Sequence, residues 1–381
     1  GYYWRSRWFK PKQKEEVRVY YSTRGALKTY IHQIPEDPSG DSLTQGNALN
    51  AAQFFLVGTM GIDIQDWELI ESKTKKLKNR WDHEFEWQEK SFSIKESNHI
   101  LTVKVQGDQI GYYNERIKLP ETWKLKYEKI RSKNNLLSTL GFTGLFAAII
   151  IIFIMILIRA RKKDIHWKTA FTWSGAIAVL LVIDVFNRYP LELYSYYTQD
   201  SYLVFLTNII LFQCILLPLL LAISLGILIA GAEPFYRDQY PHQISLRHIL
   251  TAKGIKSRSF FNSAIIGISL TFITFAFQTI FNLISNKLGA WSPTEIPNLD
   301  RLGTYIPWVS VLLGGLMLAI FQESVARMFA IPFLQKYTKS TILAVFISSV
   351  TWGIAQEGIS QPFYIKGVEL SITGLMISWV F

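Results

Sequence analysis

The sequence predicts a multi-pass α-helical membrane protein, with about seven visible spans, carrying an N-terminal soluble α+β domain. Three observations predict it. Long apolar stretches recur after residue 136, charged residues recur throughout the first 135, and the chain as a whole is 49% hydrophobic and 14% aromatic with mean hydropathy +0.17. That composition is too apolar for an ordinary soluble protein, and 381 residues leave room for two domains. The division is placed at 1–135 and 136–381.

Within 1–135 no apolar run is long enough to cross a bilayer. Asp41 and Ser42, followed by Gln45, predict a helix start, with apolar residues continuing through Phe54, Phe55 and Leu56. Strands are expected from Phe85 to Ile94 and from Ile100 to Val105. The turn sequence Gln-Gly-Asp-Gln at 106–109 leads into a third, from Ile110 to Leu119. Pro120 ends that strand, and Glu121 to Lys133 reads as a polar helix entering the membrane. The six Trp here, including Trp67, Trp81 and Trp87, are read as core or interface residues.

Apolar spans are expected at about 138–158, 169–187, 202–230, 260–285, 306–334, 340–356 and 368–381. Arg159, Arg161, Lys162 and Lys163 follow the first span, and Arg237, Arg247, Lys253, Lys256 and Arg258 follow the third. Lys336 and Lys339 lie between the fifth and sixth, whereas the loops at 188–201 and 286–305 are poorer in base. The positive-inside rule puts the basic loops in the cytoplasm and the first domain outside. Topology therefore accounts for the net charge of +11, and no recognisable nucleic-acid-binding module accompanies it. Tyr194, Tyr196, Tyr197, Trp291 and Trp308 fit an aromatic belt at the interfaces. The opening at Gly1 without a signal peptide, and the short apolar run from Val368 to Phe381, create an expectation of further sequence at both ends.

Glu323, Gln322 and Arg327, in Gln-Glu-Ser-Val-Ala-Arg, fall inside the fifth apolar stretch, and an ionisable residue there is a functional-site candidate. Four residues apart on a helix, Glu323 and Arg327 share a face and can pair, which offsets the cost of an isolated charge in lipid. The sixth span closes with Trp352, Gln356 and Glu357, so two spans each offer a Gln and a Glu. As straight rods these would sit at different depths, and a kink at Pro332 would be one way to bring them together. Asp184, Asn187 and Arg188 read as an interfacial ion pair, and Gln278 as a helix–helix hydrogen bond.

All six histidines, His32, His83, His99, His166, His242 and His248, lie outside the apolar spans. An intramembrane imidazole base or His-bound zinc is therefore excluded within these residues. Phosphate-binding glycine loops, a Gly-x-Ser-x-Gly elbow and internal repeats are likewise missing from the sequence, and neither cofactor nor metal is expected. The single cysteine, Cys214, cannot form an intrachain disulfide and reads as packing.

From about residue 231 onward the chain resembles bacterial members of the CPBP family, the intramembrane CAAX-type proteases and bacteriocin-processing relatives. The residues that carry the resemblance are Gly-Ala-Glu-Pro-Phe-Tyr-Arg at 231–237, Gly-Ala-Trp-Ser-Pro at 289–293, Phe-Ala-Ile-Pro-Phe-Leu at 329–334 and Gln-Pro-Phe-Tyr-Ile-Lys-Gly-Val-Glu at 361–369. Val-Gln-Gly-Asp-Gln-Ile-Gly-Tyr and Lys-Leu-Pro-Glu-Thr-Trp in the first domain are also similar. The family's first motif is Glu-Glu-x-x-x-Arg and its second an aromatic residue followed four positions later by His. A third, His-containing motif would fall beyond Phe381. Here the matching positions hold Gln322, Glu323 and Arg327, then Trp352 and Gln356.

The resemblance implies a bacterial cytoplasmic-membrane protein whose water-activating pair is replaced by two amides. An amide has no useful basicity, and loss of a general base typically costs about 10² to 10⁴ in rate. It thus implies a catalytically inactive homologue acting as a binding, assembly or regulatory subunit, with other membrane-protein subunits and membrane lipids as partners and no nucleic acid. Arg327, Trp352 and Glu357 would then be site-wall residues. Two other readings stay open. One is an active glutamate-type endopeptidase using Glu323 helped by Glu357; the other is a transport or cofactor-carrying subunit of an energy-converting complex.

Overall fold

The computed structural model describes residues 3–36, 42–92, 94–241, 246–249, 251–293, 299–356 and 358–380. They form two compact units, one of Gly1–Lys126 with Tyr194–Asn208, the other of Tyr127–Leu193 with Ile209–Phe381.

The first unit is built on a seven-stranded antiparallel sheet: β1 (Tyr3–Phe9), β2 (Glu16–Ser22), β3 (Leu27–Gln33), β4 (Trp67–Lys76), β5 (Trp81–Glu89), β6 (Asn98–Gln106) and β7 (Gln109–Lys118), in the order β1-β2-β3-β7-β6-β5-β4. The three expected strands are present, with the β6–β7 turn at Gly107, whose φ of +67° suits glycine. β1 to β4 come in addition, so the domain is mostly sheet, with a ten-residue helix packed on it, rather than an even α+β mixture. That helix, α1 (Gln45–Phe54), starts at Thr44, whose hydroxyl accepts from Asn47 N. The expected start at Ser42 is thus two residues early, because Ser42 instead accepts from the Trp81 backbone; Asp41 lies outside the described residues. α1 and the π-helical turn at 55–59 lay Ala48, Ala52 and Leu56 over Phe85, Trp87, Leu101, Val103 and Tyr113, which form the domain core.

The segment 194–208 belongs to this unit through specific contacts. Arg7 donates to the Tyr194 carbonyl at 2.5 Å, Lys12 N to the Thr198 carbonyl at 2.9 Å, and the Tyr194 hydroxyl to Tyr20 at 3.3 Å. Phe9 packs at a tilt against Tyr196, which is almost fully buried. Tyr194 and Tyr196 thus hold a loop onto a sheet, beyond the interfacial role expected of them.

The second unit is helical: α2 (Glu121–Arg161) enters it from the first, followed by α3 (Trp167–Asn187) and α4 (Tyr189–Tyr194). After α5 (Tyr202–Asn208), which lies in the first unit, come α6 (Leu217–Gln239), α7 (Ala252–Ile255), α8 (Arg258–Lys287), α9 (Pro307–Glu323), α10 (Ile331–Thr338), α11 (Thr341–Ala355) and α12 (Ile365–Val380). The expected polar helix and first span are one continuous 41-residue helix, α2. Among the described residues five helical stretches are long and apolar enough to cross a membrane: Glu121–Arg161, Trp167–Asn187, Tyr202–Gln239, Arg258–Lys287 and Pro307–Thr338. The chain is a membrane-helical protein with an N-terminal β domain.

Of the seven expected spans, five reach a membrane-crossing length among the described residues and the last two are shorter. α11 has 15 residues and α12 has 16, about 22 and 24 Å at 1.5 Å per residue, against about 30 Å of hydrocarbon. They pack as a tight antiparallel hairpin, and glycines make the approach possible. A Cβ on Gly353 would lie 2.4 Å from Ser371 N, and one on Gly141 of α2 only 2.3 Å from Ala355 N. Small residues at helix contacts are the usual means of association where lipid removes the hydrophobic drive. The larger core joins Ile152 and Ile156 of α2, Ala170 and Ile177 of α3 and Leu225 to Phe235 of α6 with Val325, Met328 and Phe329.

Candidate functional site

Glu323 closes α9 near the middle of the 32-residue stretch Pro307–Thr338, and the seven residues that follow, Ser324–Ala330, form a π-helix. Pro332, the second residue of α10, cannot donate a backbone hydrogen bond to the turn before it, which favours a widened turn there. π-helical turns are concentrated at functional sites. This turn buries Arg327, 1% exposed, beside the polar end of α11.

α10 continues to Thr338, past the apolar run that ends at Leu334, and reverses through Lys339 (φ 53°) and the N-cap Ser340 into α11. Gln322 and Gln356 therefore lie at nearly equal sequence distances from one tight turn. This longer α10 brings the two amides level, the alternative to the different depths of straight rods counted from the apolar runs alone. The Gln322 Nε2 donates to Gln356 Oε1 at 3.4 Å, the Trp352 indole donates to Gln322 Oε1 at 3.0 Å, and Gln356 Nε2 returns to the Trp352 carbonyl at 3.3 Å. The result is a closed ring of three residues that ties α9 to α11 and leaves no basic atom at either amide position.

Arg327 donates to Glu323 at 2.5 Å, lies 4.8 Å from the Trp352 ring centroid, and reaches Ser378 of α12 at 3.4 Å. Its Nη2 is buried without a partner. The two charges differ in setting: the Arg327 side chain is 2% exposed and that of Glu323 45%. Five of the six residues singled out by sequence, Gln322, Glu323, Arg327, Trp352 and Gln356, are thus assembled in one cluster. The sixth, Glu357, lies outside the described residues, as does His242.

Several polar side chains of this region were not singled out by sequence. Ser349 and Ser378 meet at 3.3 Å under Arg327, and Ser348 donates to the Ala326 carbonyl within the π-helix. Glu369, 2% exposed in α12, receives Lys366 at 3.1 Å, an i,i+3 pair that the spacing alone signals. Buried Asn134 of α2 donates to the Ser360 carbonyl at 3.0 Å and receives Gln361 at 2.5 Å. The segments around Trp291 and Gln361 bond to each other through both backbone groups.

Two further clusters sit at helix ends. Asp184, Asn187 and Arg188 do more than pair. Asp184 takes Arg188 at 2.9 Å and also the Ser310 hydroxyl, while Asn187 donates to Ile306 O and Ser310 and accepts from Ile306 N at 2.7 Å. They lock α3 to the start of α9. At the opposite ends of α2 and α6, Arg159 and Arg237 both bind Asp164, and Arg237 also meets Glu233 and His166. Gln278, expected to bridge helices, has no hydrogen-bond partner among the described residues, because α8 is packed on little but α12 and all but Ser285 of its residues stay partly or fully exposed.

No protein-family model, curated protein or solved structure matches the chain.

Proposed function

We propose that this is a catalytically inactive protein of CAAX-type intramembrane-protease descent, acting as a binding, assembly or regulatory subunit in the bacterial cytoplasmic membrane. The observation that carries the reading is the ring of Gln322, Gln356 and Trp352. A hydrolase of that descent would need a carboxylate and an imidazole at the two amide positions to move protons, and here their polar atoms are engaged with each other and with an indole. Arg327 is occupied by Glu323 and Trp352. A polar pocket of this kind can hold a helix pair together or receive a ligand without turning it over.

The assembly role draws support from α8, a 30-residue apolar helix with one buried residue, whose surface is free for lipid or for spans of other subunits. The orientation, with the β domain outside, draws support from the segment 194–208. That base-poor loop packs on the sheet, so the loop and the sheet share one side, the one the positive-inside rule assigns to base-poor loops.

The half-exposed Glu323 favours one rival, a glutamate peptidase. Protein reconstituted in liposomes and offered a peptide library separates the two. The subunit reading expects no cleavage, together with a stoichiometric membrane-protein companion on native purification. Cleavage that disappears in Glu323→Ala would replace it by the peptidase.

A further inference from the structure

Beyond the polar cluster, a crevice of about 230 Å³ opens between α2, α10 and α11. Its walls are the small residues Ala147 and Ala148 of α2, Ala326 and Ala330 of the π-helix, and the rings of Phe329 and Phe333. At its floor Gly144 meets Thr351 so closely that a Cβ would sit 2.6 Å from the Thr351 methyl. The floor is thus sealed by helix contact, and the crevice runs from there toward the α10–α11 turn. The aromatic wall continues in that direction as a ladder, Phe329 to Phe333 at 5.1 Å and Phe333 to Tyr337 at 4.8 Å. Tyr337 is 64% exposed, in keeping with a ring at headgroup level. Lys336 and Lys339 stand beside it, both exposed, and among the described residues neither ammonium has a hydrogen-bond or ion-pair partner.

We propose that this crevice holds one acyl chain of an anionic bilayer phospholipid, with its phosphate met by Lys336 and Lys339. The slot has the chemistry of a hydrocarbon chain, since its lining is apolar except for the Ser348 and Thr351 hydroxyls, and Ser348 already donates to the Ala326 carbonyl. From Ala326 to Leu334 the lining extends about 12 Å along the helix, a length suited to a chain rather than a compact ligand. The two unpaired cations at its open end select the headgroup. Lysines at the membrane surface attract acidic lipids, and their stems reach the interface while the ammonium stays hydrated. A zwitterionic lipid would fill the same slot without that attraction.

The test is native mass spectrometry of the full chain in mild detergent, equilibrated with phosphatidylglycerol or phosphatidylcholine of matched chains. Wild type is expected to retain one phosphatidylglycerol in preference to phosphatidylcholine. Lys336→Gln with Lys339→Gln, on the surface and harmless to packing, should weaken phosphatidylglycerol retention roughly thirtyfold and leave phosphatidylcholine unchanged. Ala330→Phe, which fills the slot, should weaken both lipids, and glycerol phosphate without chains should not compete. Equal retention of the two lipids by wild type would overturn the proposal. So would unchanged phosphatidylglycerol retention in the lysine pair variant, displacement by glycerol phosphate, or a co-purifying polypeptide crosslinked to Ala330→Cys in place of lipid.

Discussion

Replacing Glu323 by Gln leaves the Arg327 guanidinium buried in the middle of a membrane-spanning stretch with no counter-charge. Its side chain is 2% exposed, its closest charged partner at 2.5 Å is lost, and Ser378 at 3.4 Å is too far to compensate. A midspan arginine costs about 2.5–3.5 kcal/mol on insertion scales, and the surviving contact with Trp352 returns roughly 0.5–1 kcal/mol. The expected loss for Glu323→Gln is therefore about 2 kcal/mol. Arg327→Met should cost less, because the carboxylate it strands is 45% exposed and can find polar surroundings by rotating outward. The double variant should recover to within about 1 kcal/mol of wild type, as when a buried pair is replaced by neutral residues. Reversible unfolding in mixed micelles at rising denaturing-detergent fraction, followed by tryptophan fluorescence, gives all four stabilities. Simple additivity of the two single losses would refute the pairing, and a costlier Arg327→Met would refute the assigned burial.

Gly353→Val should destabilise the α11–α12 hairpin by about 1–3 kcal/mol or prevent folding, since the added atoms would meet the Ser371 backbone, and the same unfolding assay reads it. Asn187→Ala removes the bonds that join α3 to Ile306 and Ser310; a loss of about 1–2 kcal/mol is expected, with faster proteolysis of the 299–306 segment as the local sign. Tyr194 should resist ionisation: burial first, then its hydrogen bond to Tyr20, pushes it up to about 12 from 10.0. A group raised in the folded state contributes stability that is present below the unfolded value near 10 and lost as pH rises toward 12, so the β domain should loosen in that window. Tyrosinate absorbance of wild type against Tyr194→Phe checks this, and a Tyr194 titrating at the ordinary value contradicts it.

The long apolar spans were legible because bilayer burial accounts for stretches of about twenty residues with at most two charges, and the five long helices fall where they were expected. The last two apolar segments form helices of 15 and 16 residues because apolarity does not report helix length: α11 and α12 pack on each other, and Gly141 of α2 meets α11 at Ala355. β5 to β7 were legible from alternation against Phe85, Trp87 and Val103. β3 was not, because all of its residues are half-buried and neither face declares itself. At the cluster, Glu323 and Arg327 announce themselves as charges in a span. The sequence leaves the Gln322–Gln356 contact undecided, because nothing in the polar residues Gln335 to Thr338 says that they extend the helix and bring both amides level. Ser349, Ser378 and Asn134 gave no signal, since a lone small polar residue in a helix has many uses.

The proposed function stands on the reading that the amides at 322 and 356, where a peptidase of that descent would carry a carboxylate and an imidazole, cannot transfer protons. Cleavage of a peptide library by the purified chain in liposomes, wild type against Glu323→Ala, tests it most directly. No cleavage above the lipid blank by either protein is predicted; wild-type cleavage that vanishes on removing the Glu323 carboxylate would contradict it.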